Sequence, residues 1–145
     1  MDWERVEALL RRHEGTRDRM YEDSKGTPTI GIGHNLHEPI SEAAISQILN
    51  DDLRNAYDEV SVRCSWFLDL DDVRQAAIVD MVFNMGLPTF LKFRNTIAFL
   101  RAGNYHEAGE EILRGTGKGG KSQYYIDVGP RAERIRHMIQ TGEWL

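Results

Sequence analysis

Glu14 and Asp23 lie in two different local settings. Glu14 comes where an amphipathic pattern closes at Glu14-Gly15, so a helix end and its neighbours can hold the carboxyl group partly dry. Asp23 falls in the polar turn that leads into a glycine-punctuated segment. Hydrolysis of a glycosidic bond needs such a division of labour: one acid protonates the leaving oxygen, while a second carboxylate activates water or stabilises positive charge at the anomeric carbon. The chain carries 23 acidic residues, most of them expected on the solvated surface, and spacing alone does not single out this pair.

Both residues depend on the elements around them. Val6, Leu9 and Leu10 recur at helical spacing among charged residues, which predicts a helix from Trp3 to His13. From Met20 to Leu36 the pattern changes. Gly26, Gly31 and Gly33 punctuate short runs containing Thr27, Thr29, Ile30 and Ile32, as expected of a small twisted hairpin or sheet. Ser41 is a candidate N-cap for a long helix, or two consecutive ones, bearing Ile45, Ile48, Leu49 and Leu53 toward Tyr57 and Val60. Asp71-Asp72 opens a helix apolar enough around its circumference to be buried, and Gly86 and Pro88 should stop it. Phe93–Arg101 and Tyr105–Arg114 read as two short helices split by Gly103-Asn104, and a last helix should start near Pro130 and end near Gly142. The order is helix, small sheet, then many helices.

At 145 residues the chain can bury one core, or two small lobes sharing a helix. A hydrophobic fraction of 41% with 28% charged residues describes a globular protein rather than a disordered one. The net charge of −5 argues against a nucleic-acid partner, which calls for a basic surface. The single cysteine, Cys64, cannot close an internal disulfide and is expected to fill the core. No apolar run reaches membrane-spanning length, and the acidic start Met1-Asp2-Trp3-Glu4 has none of the features of a secretory signal.

Three stretches taken together, His13-Glu14-Gly15, Tyr21-Glu22-Asp23 and Gly26-Thr27-Pro28-Thr29-Ile30-Gly31-Ile32-Gly33-His34, resemble the signature of phage T4-type lysozymes, glycoside hydrolase family 24. The resemblance continues in order through Met81-Val82-Phe83-Asn84-Met85-Gly86, Phe93 and Asn95, Arg131-Ala132-Glu133-Arg134 and Thr141-Gly142-Glu143-Trp144. It implies an α+β fold, mostly helical and two-lobed, with the small antiparallel sheet near residues 20–36 and a saccharide cleft between lobes. The whole of 1–145 would be a single muramidase domain, with a β-containing lobe at about 15–60 and a helical lobe at about 70–145 that also takes in the N-terminal helix.

The resemblance also assigns roles. Glu14 would protonate the oxygen between N-acetylmuramic acid and N-acetylglucosamine, Asp23 would orient or deprotonate the attacking water, and the Thr29 hydroxyl would help hold it. The family's outcome is inversion, for which the two carboxyl groups stand about 6.5–9.5 Å apart. Arg131 matches an arginine beside the acid, and His34, Asn35, Asn84, Phe83 and Asn95 match substrate-side positions. His34 is nevertheless expected to be structural, bonding a carboxylate such as Asp69 or backbone, and Phe83 and Phe93 read as core more than as sugar platforms. Asn35 stands where the family often has an apolar residue, and the Gly115–Gly120 stretch looks inserted. The partner implied is bacterial peptidoglycan, met by a monomer without cofactor, metal or membrane insertion. The protein would be made in the host cytoplasm and released to the wall with the help of a holin.

Other motifs compete. Gly115-Thr116-Gly117-Lys118-Gly119-Gly120-Lys121-Ser122 fits the phosphate-binding P-loop pattern letter for letter, but it follows a helical segment instead of a buried strand and leads into a short stretch expected to be uncapped. Gly31-Ile32-Gly33 lacks the third glycine of a dinucleotide fingerprint, and His13-Glu14 and His37-Glu38 lack the second histidine of a zinc protease site. Two rival readings follow: a peptidoglycan-binding module with the same fold and no turnover, and a P-loop nucleotide binder.

Overall fold

The computed structural model describes residues 1–145, and the chain divides into two compact units, Met1–Ser46 and Gln47–Leu145. In the first unit, Asp2 caps helix α1 (Trp3–Glu14) by accepting a hydrogen bond from the Arg5 N–H at 3.1 Å. Arg11, Arg12 and His13 place positive charge in its last turn, where the helix dipole favours it. Gly15 ends α1 at φ +71°, a left-handed conformation that other residues adopt only with strain, so Glu14 is the last helical residue.

The sheet has three antiparallel strands in the order β1 (Arg17–Glu22), β2 (Pro28–Gly31), β3 (His34–Asn35). It starts earlier than the Met20 expected, because Arg17-Asp18-Arg19 shows no apolar alternation by which a strand could be read. Tyr21 pairs with Thr29 and Glu22 with Pro28, and the register shifts between Arg17 and Tyr21. Thr29 in turn pairs with Asn35, and Ile30 with His34.

Ser41 accepts from the Ala44 N–H at 3.2 Å at the start of α2 (Glu42–Arg63), one continuous helix within which the division between the units falls. In the second unit, the 3-10 turn Ser65–Asp69 buries Phe67, and α3 (Asp72–Met85), capped by Asp71, buries Val73, Ala77, Ile78, Met81 and Val82. Gly86 ends α3, but Pro88 is no stop signal. It occupies the first turn of a further short helix, α4 (Leu87–Phe90), where its missing N–H costs nothing. Helices α5 (Arg94–Arg101) and α6 (Tyr105–Leu113) follow, then α7 (Gln123–Val128) and α8 (Pro130–Thr141).

The core of this unit is built from Val60, Phe67, Ile78, Met81, Phe90, Ile112 and Ile139, and Cys64 is buried among its residues as a free thiol. Helices α6 and α8 cross closely at Gly109, where a Cβ would lie 2.5 Å from Gln140 Cγ. Arg74 ties α3 to the end of α8: its guanidinium donates to the carbonyls of Ile139 at 2.8 Å and Gln140 at 3.3 Å and lies over the Tyr105 ring. Those carbonyls have no partner within the helix, so a cation there both neutralises the dipole and satisfies buried acceptors.

Phe90 is fully buried. Phe90→Ala is expected to lower unfolding stability by about 3–5 kcal/mol, through lost transfer energy and a residual cavity, as read from a urea denaturation midpoint at unchanged slope.

Candidate active site

The turn between β1 and β2 is organised by one side chain. Asp23 Oδ1 accepts hydrogen bonds from the backbone N–H of Lys25 and of Thr27, each at 2.8 Å. Asp23 also donates its own N–H to the Thr27 carbonyl at 3.0 Å, and Gly26, at φ +78°, donates to the Asp23 carbonyl at 3.0 Å. The amide donors of Thr27 and then Lys25 hold the Asp23 carboxyl below the ordinary value of 3.8, because each bond is made to the ionised form.

Thr29 stands next on β2 and is only 4% exposed. Its hydroxyl donates to the Thr27 carbonyl at 2.9 Å. The Thr27 peptide therefore binds the catalytic candidates from both sides, its N–H to the Asp23 carboxylate and its C=O to the Thr29 hydroxyl. With its proton so engaged, the Thr29 oxygen faces any further partner as an acceptor.

Glu14 arrives from the end of α1 and meets the turn between β2 and β3. A Cβ built on Gly33 would stand 3.4 Å from Glu14 Oε2 and 3.5 Å from its Cδ, so the carboxylate lies against the bare α-carbon of a residue at φ +73°. The first unit thus supplies Glu14, Asp23 and Thr29 together with His34 and Asn35. Cross-strand pairing puts Asn35 on the same face of the sheet as Thr29 and His34 on the other face with Ile30. Asn35 Oδ1 accepts from the His37 N–H at 2.9 Å, which leaves its amide N–H groups as donors. His34 Nε2 is buried without a hydrogen-bond partner.

The remaining sequence-derived positions belong to the second unit. Arg131 pairs with a carboxylate of its own unit: its Nε and Nη2 donate to the two oxygens of Asp80 on α3 at 2.9 and 3.0 Å. That fork-to-fork pair keeps the guanidinium charged and fixes its plane. Phe83, read as core, is 43% exposed, since the buried face of α3 is taken by Ile78, Met81 and Val82. Phe93 packs edge-on against Tyr124 and belongs to the core margin as expected. Asn84 lines a cavity of about 280 Å³ with Phe93, Gln123 and Tyr124, whose hydroxyl is buried and unpaired. Burial and the nearby Asp80 carboxylate raise the Tyr124 pKa to about 12. Asn95 lines a separate, more polar hollow of about 370 Å³ and donates to Glu111 at 3.2 Å.

The P-loop reading is overturned by hydrogen bonding. The N–H groups of Gly115, Gly117 and Gly120 donate to the carbonyls of Gly120, Lys121 and Gly117, so they are turned into the loop instead of toward a phosphate. The Ser122 hydroxyl donates to the Ile112 carbonyl at 2.7 Å and accepts from the Tyr125 N–H at 3.0 Å. The stretch that follows, expected to be uncapped, is therefore the helix α7 with Ser122 as its N-cap. No group of three His, Cys, Asp or Glu residues is arranged to hold a metal ion, and no helix is long and apolar enough to cross a membrane.

Residues 11–126 match the family model described as phage lysozyme, a span that runs from the end of α1 into α7 and contains Glu14, Asp23 and Thr29. The chain belongs to the phage lysozyme family. Its α+β architecture, a small antiparallel sheet followed by many helices, is that of a lysozyme fold. Among its relatives is an endolysin of Bacillus phage B103, 32% identical across 93% of this chain. The chain spans about half, 52%, of the length of that endolysin. A probable T4-type lysozyme of Dictyostelium discoideum is 25% identical over 94% of both chains, and an endolysin of Salmonella phage P22 is 29% identical over 72% of this chain and 75% of its own.

Sequence reasoning missed three features, two in the first unit and one in the second. The Thr27 peptide acts through its backbone, so only an aspartate ahead of Ser-Lys-Gly hinted at it. Gly33 acts by having no side chain, and Asp80 was one acid among many. Gly33→Ala is expected to force an unfavourable φ at about 1–2 kcal/mol and to bring a methyl group into van der Waals contact with the Glu14 carboxylate, displacing water from it. Stability should fall by that amount in thermal unfolding, and any turnover that depends on Glu14 should fall further than the stability loss explains.

The Asp23 carboxyl stabilises the fold when ionised, since its folded pKa lies below the ordinary one. Its contribution is complete above pH 3.8 and disappears as pH falls through the lowered folded value. Asp23→Ala, which also removes the acceptor for two amides, should therefore be destabilised near neutrality and approach wild type at low pH, whereas Asp23→Asn keeps an oxygen acceptor and should be the milder change. Thermal midpoints between pH 7 and pH 2 check this.

Proposed function

We propose that the chain is a peptidoglycan hydrolase that cleaves the β-1,4 bond between N-acetylmuramic acid and N-acetylglucosamine with inversion. The observation that carries this reading is the arrangement around Thr27: an aspartate with one oxygen fixed by two amides, beside a threonine oxygen left as an acceptor. Family membership supports the same class of chemistry.

Asp23 Oδ1 is engaged, so Oδ2 is the oxygen that takes a proton from water, and its lowered pKa keeps it ionised for that purpose. A water that donates one hydrogen to Asp23 and the other to Thr29 presents its lone pair to the anomeric carbon. Attack forms the new C–O bond as the bond to the leaving sugar breaks. Glu14 gives its proton to the leaving oxygen, and the water's proton passes to Asp23. Exchange with solvent then reprotonates Glu14 and frees Asp23. No cofactor enters the balance.

The test is release of reducing ends from purified peptidoglycan, with the anomeric configuration of the first product read by NMR. Wild type should give inverted product. Glu14→Gln and Asp23→Asn should each be slower by at least about 10²-fold, the range of one acid or base, and Thr29→Ala by about tenfold or more through a misplaced water. The acidic limb governed by Asp23 should lie below pH 3.8. Wild type no faster than Glu14→Gln or Asp23→Asn, with binding to peptidoglycan retained, would make the chain a binding module instead.

A further inference from the structure

The glycine-rich stretch that fails as a P-loop builds something else. Its internal backbone bonds, together with a bridge between Arg114 and Lys121, make it an ordered hairpin between α6 and α7. Two of its glycines are needed for close approach: a Cβ on Gly115 would lie 2.6 Å from the Ser122 α-carbon, and one on Gly117 would lie 2.6 Å from Ile126 Cδ1. The hairpin therefore seats directly on α7. Between it and the start of α8 runs a groove of about 660 Å³, within the size range of small-ligand sites.

The walls of this groove are cationic on one side and apolar on the other. Lys118 and Lys121 stand on the hairpin side, and neither forms an ion pair. The floor is the Tyr125 ring, the exposed Ile126, Gly129 and Pro130. The Lys121 ammonium lies 4.5 Å from the centre of the Tyr125 ring. Glu133 is the one carboxylate lining the groove, and the Tyr125 hydroxyl donates to it. A protein of net charge −5 thus carries a groove whose lining, two lysines against one carboxylate, is net positive beside an aromatic and aliphatic floor.

We propose that this groove binds a phosphodiester-bearing glycopolymer of the bacterial wall, separately from the hydrolytic site. Charge complementarity selects an anion. Both cations are ammonium groups, compact point charges of the kind that bind phosphate. The Tyr125 ring and Ile126 supply the flat apolar surface on which the polymer's carbon skeleton rests, with the phosphates toward the lysines. The groove would hold the chain on the wall between cleavage events. This proposal rests on the reading of the chain as a wall hydrolase.

The experiment compares binding of Glu14→Gln protein, which leaves the wall intact, to walls carrying phosphodiester polymers and to the same walls stripped of them by hydrofluoric acid. The same protein with Lys118→Ala and Lys121→Ala, and one with both changed to Arg, complete the set. Expected is binding at least about tenfold tighter to unstripped walls, a difference of roughly 1.4 kcal/mol, that weakens with salt. The double alanine variant should bind both walls alike, and the double arginine variant should retain most of the preference. Soluble poly(glycerol phosphate) should compete for unstripped walls, and polygalacturonate at equal charge should not. Equal binding of the parent to both walls, an unchanged double alanine variant, or equal competition by the carboxylate polymer would overturn the proposal. Reducing-end release from stripped peptidoglycan by the otherwise wild-type Lys118→Ala, Lys121→Ala protein should match wild type. If wild type itself releases none, the hydrolase reading fails, while the wall comparison still decides what the groove binds.

Discussion

One peptide group, that of Thr27, fixes the chemistry of the small unit. Its N–H reaches the Asp23 carboxylate, and its carbonyl receives both the Asp23 N–H and the Thr29 hydroxyl. Because the link is made by backbone, Asp23 and Thr29 keep their relation as long as the turn keeps its shape, and Gly26 at positive φ allows that shape without strain. The same bonds decide electrostatics. Two amides on one carboxylate oxygen favour the ionised form, and a hydroxyl committed as a donor can only accept from a water.

Glu14 is brought to its place by a different device. A helix end supplies direction, and a glycine on the facing turn supplies room. The glycines of the second unit do similar work: Gly109 permits the close crossing of α6 and α8, and Gly115 and Gly117 let a hairpin lie on α7. At Gly109, Gly115 and Gly117 the absent side chain sets a distance that no larger residue reproduces without a shift of its neighbours. The second unit has the larger core, and its buried phenylalanine and isoleucine side chains hold the helices on which Phe83, Asn84, Asn95 and Arg131 are displayed.

Charge in this protein is managed locally. Arg131 is matched by Asp80, Arg74 by Asp71 and two carbonyls, and Glu111 by Arg114 and Asn95. Lys118 and Lys121 form no ion pair, and Lys121 lies over the Tyr125 ring, so the net charge of the chain says little about what any one surface meets.

The order of elements was written in the sequence, because the period of apolar residues and the positions of capping groups are local properties. Asp71, Gly86, Pro130 and Gly142 begin or end helices where their chemistry predicts, and the glycine-punctuated segment does form the sheet. Glu14 and Asp23 were legible as candidates through the resemblance of the surrounding motifs, whereas the partly dry setting expected for Glu14 is not found: Glu14 is exposed and Asp23 half-buried. Other features were settled only by folding. Arg17 began the strand by pairing with Gly31 ahead of a register shift, which no local pattern announces, and Pro88 opened a helix where a stop was expected. Arg131 found Asp80, Phe83 was turned outward, and a letter-perfect phosphate loop closed its amides on itself. The physical reason is common to all of these. Periodicity and caps depend on neighbours along the chain, whereas the partner of a charge, the face of a ring and the direction of an N–H depend on residues that only tertiary structure brings within reach.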